Sequence, residues 1–137
     1  VACCLMHNRK EAVYQNYIED VLSDLQESVQ LALQAGIDRD SICIDPGIGF
    51  AKDLNQNLEL MNQLERLQEL GYPVLLGTSR KSMIGLTLEL PVNEREEGTI
   101  ATTVFGVMKG CSIIRVHDVE KNLRAVKMTL AMLRAGK

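Results

Sequence analysis

The chain has no tryptophan, and aromatic residues make up only 4% of it. That argues against a platform on which the bases of a single-stranded nucleic acid stack. Cations are not in excess either: 15 Lys and Arg stand against 18 Asp and Glu, for a net charge of −3. With no basic surface to meet phosphates, no nucleic-acid partner is expected. No apolar run approaches the roughly 20 residues of a membrane helix, and no signal peptide is seen, so no membrane partner is expected. Three prolines and ten glycines are too few for a low-complexity chain. No GxGxxG follows any predicted strand, so the dinucleotide-binding fold has no support. The four cysteines, Cys3, Cys4, Cys43 and Cys111, lack CxxC spacing. The two histidines are not placed to complete a zinc set with them, and no metal ligand is assigned. Cysteines of this kind read as free thiols in a reducing, cytoplasmic compartment. The sequence begins at Val1 inside an apparent strand, with no initiator Met and no lead-in, and reads as a piece of something longer.

What is present is ordinary for a globular domain: 137 residues, 46% hydrophobic and 24% charged. That length is enough for one domain with a real core. Val1 to Met6 reads as a strand. From about Tyr14 to Ala35, Ile18, Val21, Leu22, Leu25, Val29, Ala32 and Leu33 recur in steps of three and four, which predicts an amphipathic helix. Ile42 to Ile44 is a second strand, and about Leu54 to Leu70 a second helix. Val74 to Leu76 is a third strand. A linker over Leu86 to Val92 follows it, broken by Pro91. Asn93, with Glu96 three residues on, predicts the next helix start. Ser112 to Val116 is the fourth strand, and Asp118 is placed to cap the last helix. Glycines at 36, 71, 110 and 136 stop the helices. Four strand–helix units with unbroken apolar strands predict a parallel α/β sheet. Four units suit either an open doubly wound sheet or half of a (β/α)8 barrel, since a full barrel needs about 250 residues.

The polar residues that follow each strand are Met6-His7-Asn8-Arg9, Asp45-Pro46-Gly47, Ser79-Arg80-Lys81-Ser82 and Arg115-Val116-His117-Asp118. In a parallel sheet all four sets face the same way, at the end where ligands bind. Leu75-Leu76-Gly77 turns from apolar to polar at once, and Gly77 offers backbone that a ligand could approach. Arg115 and His117 alternate with Val116, so both point to one side and make a two-pronged grip suited to phosphate. Asp45, a carboxylate at a buried strand end, suits the amino-substituted edge of a guanidine-like ring. His7 has no evident functional partner and reads as a core histidine.

Three stretches carry a family resemblance: Ile44-Asp45-Pro46-Gly47-Ile48-Gly49-Phe50-Ala51-Lys52, Leu76-Gly77-Thr78-Ser79-Arg80-Lys81-Ser82, and Ile114-Arg115-Val116-His117-Asp118-Val119. In this order they resemble dihydropteroate synthase, and Leu5-Met6-His7-Asn8-Arg9 resembles the bacterial form. The resemblance covers essentially the whole chain. It implies that residues 1–137 are the carboxyl-terminal half of a (β/α)8 TIM barrel, a half-barrel fragment of the pterin-binding domain. The implied activity is condensation of 7,8-dihydropterin pyrophosphate with 4-aminobenzoate, a step of folate biosynthesis inhibited by sulfonamides.

By resemblance, Asp45 would hold the pterin's amino-pyrimidine edge, and Lys81 would lie at the pterin ring near the aminobenzoate. Arg115 and His117 would grip the diphosphate. Ser82 would sit at the aminobenzoate pocket, and Met6, Phe50 and Gly77 would line the pterin slot. Lys81, Arg115 and His117 are the implied catalytic residues. Magnesium is expected on the diphosphate, with its protein ligand outside this half, and a homodimer is expected. The family's first-strand asparagine, two mobile loops and third- and fourth-strand polar groups are absent from these residues, so the isolated chain is expected to be inactive. Three other readings stay open. They are a folate-dependent methyltransferase that shares the aspartate, a phosphate-binding aldolase with Lys81 as Schiff-base former, and a non-catalytic fragment.

Overall fold

The apolar stripe of the first helix accounts for much of the core. In the computed structural model, which describes all of residues 1–137, α1 spans Tyr17–Gln34. It buries Ile18, Val21, Leu22, Leu25, Val29 and Ala32 on one face, at the three- and four-residue spacing of the sequence. That face packs on the strands β1 (Cys3–Met6) and β2 (Ile42–Asp45), which are paired in parallel with Met6 opposite Asp45. Two further parallel strands, β3 (Leu75–Leu76) and β4 (Ile113–Ile114), pair with each other, and a single bridge from Ile44 to Val74 joins the two pairs. The strands therefore run β1-β2-β3-β4 in chain order, each followed by helix. This is the βα repeat of half a (β/α)8 barrel.

The alternation along the strands decides which side chains reach the inner face. Cys4 and Met6 share a side with Cys43 and Asp45, their partners in register. The same parity puts Leu75 and Gly77 on that side of β3, and Ile113 and Arg115 on that side of β4. Below Asp45 this face is apolar, and Met6 and Ile113 are exposed on it. The outer face is covered by helices and contributes Ile44, Val74 and Leu76 to the core.

Three local departures from the sequence pattern have physical causes. The predicted helix from Leu54 to Leu70 is α2 (Leu54–Asn62), started by an Asp53–Gln56 capping box, followed by a 3₁₀ segment over Leu64–Leu70. The three-residue repeat of that segment stacks Leu64 and Leu67 on one line, and both are fully buried. The predicted linker over Leu86 to Val92 is in part helical, because α3 runs Ser82–Leu88 and buries Met83 and Ile84. The following helix, α4, begins at Glu96 and ends at Met108, so Asn93 does not cap it. Asn93 lies in a 3₁₀ turn over Val92–Glu94 that Pro91 introduces. Arg95, just before α4, is held instead by its guanidinium, which donates to the carbonyls of Leu90 and Arg80.

The final helix, α5 (Val119–Arg134), starts as expected: the Asp118 carboxylate accepts from the Lys121 N–H. Glycines 36, 71, 110 and 136 all take positive φ where helical segments end. A buried polar link holds α5 to α4. Thr103 donates to Asn122 Oδ1 at 2.7 Å, and Asn122 Nδ2 donates to Glu96 and to the Asp118 carbonyl. Thr103 and Asn122 are essentially inaccessible to solvent, so neither has water as an alternative partner. Asn122→Ala is expected to strand the Thr103 hydroxyl and lower stability by about 1–3 kcal/mol. Urea unfolding of a complete barrel that carries these residues measures it, and a loss below ~0.5 kcal/mol would contradict the assignment.

Candidate functional site

Each strand of this sheet ends in a polar loop, and the parallel arrangement gathers the loops at one rim. The loop after β2 makes the tightest approach. His7 donates its backbone N–H to the Asp45 carbonyl, which extends the β1–β2 ladder by one residue. Gly47 has φ +73°, and a Cβ there would run into the His7 carbonyl oxygen. Only glycine meets both demands at this position. The turn closes with the Phe50 N–H donating to the Gly47 carbonyl at 3.0 Å.

Asp45 sits beneath this turn, 3% exposed, and its carboxylate accepts from the Gly47 N–H at 2.8 Å. Burial pushes its carboxyl above the ordinary carboxylate range. The Gly47 hydrogen bond and the charges of Lys81, Arg115 and Lys52 pull the other way without cancelling it. Lys81 is half-buried. Its ammonium donates to the Ile48 carbonyl at 2.6 Å and lies 5.1 Å from the centre of the Phe50 ring. Burial holds the Lys81 amine below its ordinary range, and Asp45 partly restores it. Phe50 itself is exposed, with its ring toward the site.

Beside Asp45 and Lys81 lies a cleft of about 420 Å³ lined by Gly77, Ser79, Lys81, Arg115, Val116 and His117. Arg115 continues β4, its N–H donating to the Leu76 carbonyl at 2.9 Å. Its guanidinium lies over Gly77, where a Cβ would come within 2.5 Å of it. The arginine thus lies along the open backbone that the sequence assigns to an approaching ligand, and both face the same cleft. His117 is fixed by Ser79, whose hydroxyl accepts from the His117 backbone N–H at 3.2 Å and meets Nδ1 at 2.7 Å. With the serine proton directed to Nδ1, the ring proton belongs on Nε2, the nitrogen that Ser79 leaves free. Arg115 and His117 then offer a guanidinium and a ring N–H to one cleft, the chemistry of an anion grip.

The structure thus brings Asp45, Gly77, Lys81, Arg115 and His117 together, with Phe50 against Lys81 and Met6 beside Asp45 in register. Ser82 lies apart from the cleft lining, exposed at the first residue of α3. Three residues to which the sequence assigned no role belong to the arrangement. Ser79 aims His117. Lys52 donates to the carbonyls of Gly47 and Phe50, at 3.1 and 2.7 Å, and reaches His7 Nδ1 at 2.8 Å. His7 is buried as expected, but it has partners at both nitrogens, because Nε2 meets the Asp24 carboxylate at 2.8 Å. The signal for Lys52 was its place seven residues after Asp45 in a turn whose carbonyls need donors. No signal in the sequence tied Asp24, on α1, to His7.

Comparison with known proteins agrees with this fold. The pattern of the family described as pterin binding enzyme matches residues 1–117. The dihydropteroate synthase of Clostridium beijerinckii is 61% identical over 98% of this chain and 50% of its own length. The dihydropteroate synthase of Bacillus subtilis is 55% identical over 99% of this chain and 48% of its own length. Among solved structures, the Clostridium difficile dihydropteroate synthase determined in the presence of pteroic acid superposes with a TM-score of 0.94 at 46% identity. It is matched over 97% of this chain and 51% of that one. A Yersinia pestis dihydropteroate synthase in complex with a sulfonamide drug gives 0.95 at 34% identity, over 98% and 52%. The chain spans about half the length of the curated relatives it matches. With the rim of Asp45, Lys81, Arg115 and His117 carried on four βα units of the same barrel, the chain belongs to the pterin-binding enzyme family.

Proposed function

We propose that these residues are the pterin- and diphosphate-holding half of a dihydropteroate synthase, which joins 4-aminobenzoate to 7,8-dihydropterin pyrophosphate. One observation carries the reading: a buried carboxylate and an Arg–His anion grip share one rim, with a half-buried lysine between them. Asp45 accepts from the amino-pyrimidine edge of the pterin. Arg115 and the Nε2 proton of His117 hold the diphosphate. Met6, Phe50 and Gly77 border the ring, Lys81 lies over it, and Ser82 reaches the aminobenzoate.

In the reaction, the C–O bond between the pterin methylene and pyrophosphate breaks, and the electron pair leaves with the pyrophosphate. The pterin ring stabilises the cation that remains. The amine of 4-aminobenzoate attacks the methylene carbon and gives up a proton. The residues act mainly by position and charge: Arg115 and His117 stabilise the negative charge that grows on the departing diphosphate. Lys81 donates to the Ile48 carbonyl and lies beside the Phe50 ring, which keeps its charge at the edge of the ring pocket.

Magnesium fits this half poorly as a protein-held ion. No three His, Cys, Asp or Glu side chains cluster here, Asp45 is engaged by Gly47, and the cleft wall is cationic. A magnesium ion would be held by the diphosphate oxygens and by residues outside this half, and no step here is routed through it. Inhibition by sulfonamides follows from their likeness to 4-aminobenzoate, and the Yersinia pestis relative bound to such a drug supports it. Four free cysteines are consistent with a cytoplasmic setting.

In a complete barrel carrying these residues, Asp45→Asn is expected to weaken pterin binding by about 1.5–3 kcal/mol, roughly ten- to a hundredfold. Unchanged affinity by calorimetric titration would remove Asp45 from the ring edge. His117→Ala is expected to weaken pterin pyrophosphate much more than the pterin alone. Equal losses for both ligands would show that His117 does not grip the diphosphate.

The 137-residue chain by itself is expected to associate. Met6 and Ile113 on the inner face, and Val119 and Leu123 beside the β4 edge, are exposed, and an apolar surface of this kind is rarely left open. A homodimer or larger species and no dihydropteroate formation are expected. Sedimentation equilibrium showing a stable monomer of 15.2 kDa would contradict the first, and product formation the second.

A further inference from the structure

The loop after β2 has an unusual number of carbonyls held by side chains. Lys52 holds those of Gly47 and Phe50, Lys81 holds that of Ile48, and the Tyr14 hydroxyl donates to that of Ala51 at 2.8 Å. Lys52 spends all three of its protons: two on these carbonyls and the third on His7 Nδ1. His7 must therefore accept at Nδ1 and donate from Nε2, and its Nε2 faces the Asp24 carboxylate. Asp24 is fixed in turn by the Arg9 guanidinium, which donates to both its oxygens. A chain of hydrogen bonds thus runs from α1 through His7 and Lys52 into the loop that covers Asp45 and presents Phe50.

We propose that Lys52, oriented by His7 and Asp24, is a positioning residue that holds the 46–52 loop in its pterin-binding shape without touching substrate. This rests on the pterin-binding reading of Asp45 and Phe50. Lys52 is buried enough that its pKa falls to about 8, with Asp45 and Asp24 raising it and Lys81 lowering it further. Burial likewise keeps His7 below its ordinary value, so the ring is neutral and able to accept near neutral pH. Asp24 is held ionised by Arg9 and His7. Tyr14, on the same side, stays protonated because burial raises it. Loss of the Lys52 proton removes one of the three bonds and the charge facing Asp45. Pterin affinity is then full below about pH 8 and falls as pH rises through it. Folding moves the other way. The folded pKa lies below the ordinary 10.5, so the unfolded chain binds more protons between about 8 and 10.5, and the contribution of Lys52 to stability rises there. A lysine that served the fold alone would not make binding weaken where its own effect on stability improves.

The test uses a complete barrel carrying these residues, titrated with pterin and with pterin pyrophosphate from about pH 6.5 to about 9.5. The parent is expected to lose about tenfold in affinity for both ligands above pH 8. Lys52→Arg, which stays charged, is expected to lose that decline. Lys52→Met is expected to bind both ligands about tenfold more weakly than the parent below about pH 8, with no further decline above it. An alkaline decline that is the same in the parent and in Lys52→Arg would overturn the proposal, whether or not Lys52→Met folds. So would a folded Lys52→Met that binds within about twofold of the parent at about pH 6.5 to 7. A parent that binds no pterin at any pH would overturn the functional reading itself, and this inference with it. Normal pterin binding with no effect at Lys52 would overturn the inference alone.

Discussion

The register of four parallel strands is the constraint on which the site depends. Met6 lies opposite Asp45, Ile44 opposite Val74, and Leu75 opposite Ile113, so each strand end is fixed against its neighbour. A shift of one residue in any strand would turn its inner side chains into the helical layer. Asp45 would then enter the core in place of Ile44, and Arg115 would turn from the cleft into the helical layer. The burial that pins this register is on the outer face, where Ile44, Val74 and Leu76 are fully enclosed by helices. The core and the site are thus two faces of the same strands, and the packing of the first fixes the geometry of the second.

The electrostatics of the rim follow from that geometry. A single buried carboxylate is surrounded by Lys52, Lys81 and Arg115, and burial still raises its pKa despite them. The two lysines shift in the opposite sense, for the same reason: each charge has lost water. A set of groups already short of hydration is well matched to a guest that brings a hydrogen-bonding ring edge and a charged tail. The lysines meanwhile satisfy themselves on loop carbonyls at 47, 48 and 50, so the rim keeps its shape around a polar interior.

Much of this was legible in the sequence because it rests on period and punctuation. The stripe of α1, the apolar strands and the four helix-ending glycines identified the βα repeat. Alternation alone put Arg115 and His117 on one side. The short α3 was not legible, because seven residues containing Gly85 give no clear period. The late start of α4 was hidden as well, since Arg95 makes its contacts with carbonyls 5 and 15 residues earlier. Partnerships across the chain were hidden for the same reason. Ser79 and His117 are 38 residues apart, and His7 and Lys52 are 45, so only the folded strands show that each pair is one unit. His7 looked like a core histidine, and by burial it is one; its two hydrogen bonds are what give it a further part.

The guanidinium of Arg115 lying over Gly77 has an evolutionary consequence. The atom that an added Cβ would meet first is the tip of a flexible side chain, and Gly77 does not have a positive φ that reserves it for glycine. An alanine or serine there would move the arginine and leave the strand in place. Positions 77 and 115 therefore form one unit of variation. Drift at the small residue retunes the grip on an anion while the strand stays in place, and a lineage can explore new guests at the cleft by way of the arginine.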